Sequence, residues 1–85
     1  MKKLSLKEVL SVINLRLKDV KVEPEQLAEN LTSLGMDSLT FIQIVVALEE
    51  EFDCEIPDSK LIISEMDTVE KIMSVLQKLY DESNM

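Results

Sequence analysis

Histidine is absent from this 85-residue chain, and cysteine occurs once, as Cys54. Without histidine, no Ser–His or Cys–His nucleophile can be assembled, and neither can a zinc site of Cys and His ligands. A single cysteine cannot close a disulfide within the monomer, which fits a reducing compartment. One Gly and two Pro leave little turn chemistry for a multi-stranded sheet, which argues for helices. Aromatic residues are only 4% of the chain, so any core must be built from Leu, Ile, Val and Met. No apolar run approaches the ~18 residues that a membrane span needs. Lys2 and Lys3 open the chain as in a signal peptide, but Lys7 and Glu8 interrupt the apolar stretch at once. Carboxylates are plentiful, yet no D-x-D-x-D-G calcium loop is found. The expectation is a non-enzymatic protein of the cytoplasm.

Hydrophobic residues make up 46% of the chain, enough for one packed domain over residues 1–85. The net charge of −8 is unevenly spread. Residues 1–21 hold six bases against two acids, and residues 37–70 hold ten acids against Lys60 alone. The acidic span repels nucleic acid and anionic membranes and suits basic protein surfaces. A solvated face tuned for solubility would carry the same charge.

Ser5-Leu6-Lys7-Glu8 has the form of a capping box, with Leu4 and Val9 at the positions of a hydrophobic staple. Leu6, Val9, Leu10, Ile13 and Leu17 follow at helical spacing, which predicts a first helix over Leu6–Lys18. Pro24 disfavours a helical Glu23 and suggests a short turn through Leu27. Leu27, Leu31 and Leu34 should anchor this long connection, with Gly35 as a flexible point. The second helix is predicted over Ser38–Phe52, with Phe41, Val45, Leu48 and Phe52 on one face, flanked by Leu39 and Ile42. Glu49, Glu50 and Glu51 end it against the macrodipole, an arrangement that calls for another reason. Leu61, Ile62 and Ile63 suggest a short inward-packed helix after Pro57. Asp67 would cap a last helix whose buried side carries Val69, Ile72, Met73, Leu76, Leu79 and Tyr80. The expected fold is all-α, a small four-helix bundle of three main helices and one short one.

Ser38 would project from a helix N-terminus, where free amides and the macrodipole favour a phosphate. By itself, a serine before a helix is an ordinary cap. In this chain it lies within Gly35-Met36-Asp37-Ser38-Leu39, followed by Ala47-Leu48-Glu49-Glu50-Glu51-Phe52 and then Ile56-Pro57-Asp58. These three blocks, in this order and at these separations, closely resemble the acyl carrier protein family.

The resemblance implies that Ser38 is the acceptor of a 4′-phosphopantetheine arm, attached by a phosphopantetheinyl transferase from coenzyme A. It implies for Asp37 a part in placing magnesium during that transfer; N-capping is compatible with it. The arm's thiol would hold acyl or aminoacyl groups for enzymes that load, extend or release them. Leu39, Val46 and Glu50 match family positions that meet such enzymes, and Glu49 belongs to the same acidic block. A free-standing monomer is expected. Thr40 and Gln43 stand where carriers of housekeeping fatty acid synthesis usually have acids, and Phe41 replaces a smaller residue. These departures favour a polyketide, nonribosomal peptide or specialised lipid pathway, with D-alanyl transfer less well matched. The competing reading is a carrier-like module that binds a basic partner without covalent cargo. Cys54, with no histidine to activate it, reads as structural.

Overall fold

The structure, a computed structural model, describes residues 2–17 and 21–83. Three α-helices carry the fold: α1 (Leu6–Arg16), α2 (Ser38–Phe52) and α3 (Val69–Ser83). No strand occurs among the described residues, and α1 packs against both α2 and α3. The bundle is all-α, as the three apolar stripes require.

On α1 the inward residues are Val9, Leu10, Val12 and Ile13, continued by Leu17 just past the helix end. Lys18, the expected last residue, lies outside the described residues. Ser5 precedes the helix with extended backbone, but its side chain makes no capping bond. Glu8 is drawn instead to the Lys2 ammonium, with Nζ and Oε2 2.5 Å apart. A charge-assisted contact outcompetes a bond to a neutral amide, so the expected capping box does not form.

The connection to α2 is fixed at several points. Asn14 holds Val22 from both sides: its Nδ2 donates to the Val22 carbonyl (3.1 Å) and its Oδ1 accepts from the Val22 amide (2.7 Å). Single 3₁₀ turns follow at Pro24–Gln26 and Leu31–Leu34. Leu31 is fully buried, and Leu27 and Leu34 pack against the core as anchors. The Leu31 amide donates to the Asp67 carbonyl (2.7 Å), and the Glu70 amide to that of Leu27 (3.0 Å). Gly35 ends the second turn at φ 103°. A side chain there would meet nothing within 4 Å, so the backbone conformation, not space, calls for glycine.

Phe41, Ile44, Val45, Leu48 and Phe52 form the buried side of α2. Burying a side chain of this size fully is worth about 1.5–3 kcal/mol, so this one stripe is a main source of stability. Past α2 the expected fourth helix takes the form of two 3₁₀ turns, Asp58–Lys60 and Ile63–Glu65. So short a segment cannot repay the cost of nucleating an α-helix. Leu61 and Ile63 pack against the core, Ile62 faces outward, and Met66 fills the interior instead. Before α3, Thr68 rather than the expected Asp67 serves as the cap. Its Oγ1 accepts from the Lys71 amide (3.0 Å), while the Asp67 carboxylate pairs with the Lys71 ammonium (3.0 Å).

Candidate functional site at the head of the second helix

Gly35 turns the chain sharply, buried Met36 anchors it, and Asp37 and Ser38 then emerge at the start of α2. Asp37 is the N-cap: its Oδ1 accepts from the Thr40 amide at 2.8 Å. That bond, from a backbone N–H at the positive end of the helix, holds the Asp37 carboxyl below its usual pKa. Ser38 is therefore not the cap. It is the first helical residue, exposed to solvent, among the first-turn amides at the positive end of the helix.

An exposed hydroxyl beside those amides suits a phosphodiester, because the local field favours negative charge and an enzyme can reach the oxygen. No group of three or more His, Cys, Asp or Glu side chains among the described residues could hold a metal ion. Asp37 can thus offer a single carboxylate to an ion, not a metal site.

Of the other residues singled out from the sequence, Leu39 and Val46 are exposed, at 67% and 45%. Between them Ile42 is 48% exposed, although its position had suggested the flank of the buried face. Leu39, Ile42 and Val46 are spaced three and four residues apart and share one outward stripe. That spacing was the signal by which Ile42 could have been assigned. Glu50 is exposed near Val46, whereas Glu49 is half-buried and turned to the chain itself. The Glu49 Oε2 accepts from the Ile56 amide at 2.8 Å. Glu51 takes a hydrogen bond from Lys2 (2.6 Å), which with Glu8 pushes the Lys2 pKa up to about 12. Two of the three acids that oppose the macrodipole thus have structural partners. Cys54 is half-buried, and burial followed by the charge of Glu49 raises its pKa, so the thiol stays protonated.

The fold and site together define an all-α bundle whose Ser38 stands exposed at a helix head. Residues 7–76 match the family model described as the phosphopantetheine attachment site. The chain therefore belongs to the phosphopantetheine attachment-site family, that of the acyl carrier proteins, and its prosthetic group is a covalently held 4′-phosphopantetheine. An acyl carrier protein of Zymomonas mobilis subsp. mobilis is 49% identical over 57 residues, covering 64% of this chain and 63% of that one. Acyl carrier proteins of Bradyrhizobium sp. and Nitrobacter hamburgensis are each 52% identical over 40 residues, covering 44% of this chain and 51% of theirs. The chain thus spans between half and two thirds of the length of these curated relatives. No solved structure matches it significantly.

Proposed function

We propose that this protein is an acyl carrier protein whose Ser38 oxygen bears the phosphopantetheine arm. One observation carries the reading: Ser38 is an exposed first-turn residue whose hydroxyl is spared from capping because Asp37 takes that task. When bound, the arm supplies a thiol that can hold an acyl or aminoacyl group as a thioester. The protein's own residues present the oxygen, set a field favourable to the phosphate, and offer Asp37 as one carboxylate toward a magnesium ion held chiefly by the transferase.

In this reading Leu39, Val46 and Glu50 meet the loading, extending and releasing enzymes, joined by Ile42, while Glu49, expected with them, is instead held by the Ile56 amide. Thr40 and Gln43, uncharged one turn from Ser38, favour a dedicated polyketide, nonribosomal peptide or specialised lipid pathway over housekeeping fatty acid synthesis. No helix among the described residues is long and apolar enough to cross a membrane, which is compatible with a monomer working in the cytoplasm.

Coexpression with a promiscuous phosphopantetheinyl transferase, followed by intact mass, tests the proposal. One phosphopantetheine should be added to the wild type and none to Ser38→Ala, with helical circular dichroism unchanged. An unmodified wild type beside a modified control carrier would overturn it. So would a modified Ser38→Ala.

A further inference from the structure

The edge of α1 beside residues 21–24 carries an exposed apolar side chain. Leu15 is 77% exposed on it, more than Leu39, Ile42, Val46 or Ile62. Beside Leu15 runs a solvent-open cleft of about 710 Å³ between α1 and residues 21–24. Its apolar lining comes from Leu6, Leu15 and Pro24, together with Leu10 and Val22, which are themselves buried. Lys7 and Lys21 stand on its rim against one acid, Glu23. The cleft is preformed, because the paired Asn14 bonds to Val22 fix one wall against the other. Among the described residues, the ion pairs use Lys2, Lys60 and Lys71, leaving Lys7 and Lys21 available to an outside partner.

From this we infer that the α1 cleft is a second docking surface, distinct from the stripe on α2, and that it takes an acidic amphipathic helix of a partner protein. Apolar anchors at i, i+3, i+4 and i+7 suit an open groove, and carboxylates flanking them meet Lys7 and Lys21. Charge complementarity chooses this occupant over the others. A second copy of this chain brings a net charge of −8 against the same charge, and an anionic bilayer is flat where the cleft is concave. Leu15 marks the limit of the site, since it also borders a smaller groove shared with Arg16, Glu50 and Glu51. An acidic helix would be turned back there. A partner that docks basic residues on α2 is the wrong sign for this cleft, so the two faces select different surfaces.

The test titrates the ¹⁵N-labelled full chain with a synthetic helical peptide of about fourteen residues, Leu at the four anchor positions and Glu elsewhere. Saturable amide shifts are expected within residues 6–17 and 21–24. The same peptide with Lys for Glu should leave those residues unmoved. The double variant Lys7→Glu with Lys21→Glu should weaken binding about tenfold, and Leu15→Ser about threefold. Both alter exposed positions, and circular dichroism verifies that they fold. Modification of Ser38 by the transferase should be unchanged in Leu15→Ser, so the result does not depend on the Ser38 assignment. No shifts in the cleft, equal binding of both peptides, or indifference to charge reversal would overturn the inference. Vesicles of anionic lipid that reproduce the shifts would also overturn it, in favour of a membrane surface.

Discussion

Asp37 and Ser38 divide the work at the head of α2, and the division can be tested through pH. The Asp37 carboxylate accepts the Thr40 amide, which lowers its pKa from the ordinary 3.8. A carboxyl whose folded-state pKa is depressed stabilises the fold fully above its unfolded pKa. That contribution is lost as the pH falls through the folded value. Asparagine keeps the capping oxygen but does not titrate. Between about pH 5 and about pH 2, the Tm of the wild type should therefore fall further than that of Asp37→Asn. Thermal scans of both proteins across that range decide it, and parallel curves would mean that the carboxylate charge adds nothing to the cap. Asp37→Ala, which removes the acceptor, should lower Tm at neutral pH as well.

At the scale of the helix, the acids ending α2 have separate tasks despite their adjacency. The Glu49–Ile56 bond fastens the chain as it leaves the helix through Asp53, whose φ of 52° reverses its direction. Removing a charged partner from a half-buried amide costs about 1–3 kcal/mol. Glu49→Ala should therefore unfold several degrees lower, while Glu49→Gln, which keeps an acceptor, should lose less. Equal loss in both variants would locate the effect in the charge and not in the bond. The helix itself was legible from the sequence, because its apolar spacing and its bounds at Ser38 and Phe52 are local properties. Ser38 was singled out by its resemblance to a family motif, and the structure places it exposed at the head of α2. The two capping failures share one cause, competition from lysines that lie outside the capping motif. Glu8 prefers Lys2 to the Ser5 amide, and Asp67 answers to Lys71 and Leu31 while Thr68 caps α3. Val22, Ile56 and Met66 are buried although no periodic pattern marks them, because loops owe their burial to what packs over them.

Along the whole chain, the charge falls in two unlike regions, a basic stretch over residues 1–21 and an acidic span over residues 37–70. With Glu49 engaged by Ile56 and Glu51 by Lys2, the exposed acids nearest Val46 are Glu50, Asp53 and Glu55. These acids oppose the macrodipole without a structural partner among the described residues, and under the proposed function they serve to dock basic enzyme surfaces, against the alternative of a merely solvated face. Glu50→Lys should then slow the transferase's modification of Ser38, chiefly by weakening encounter. The gap from wild type should narrow as salt rises, since exposed charges are screened beyond about 10 Å at 0.1 M ionic strength. Stability should hold level or rise slightly, because a cation suits that end of the helix. Glu51→Ala provides the contrast: it breaks the Lys2 contact, so it should lower Tm while affecting encounter less. Modification rates of the three proteins across a salt series, with Tm as the control, separate the two roles. If Glu50→Lys matches wild type at low salt, the acidic end of α2 is only a solvated face, and partner choice must rest on the apolar stripe of Leu39, Ile42 and Val46.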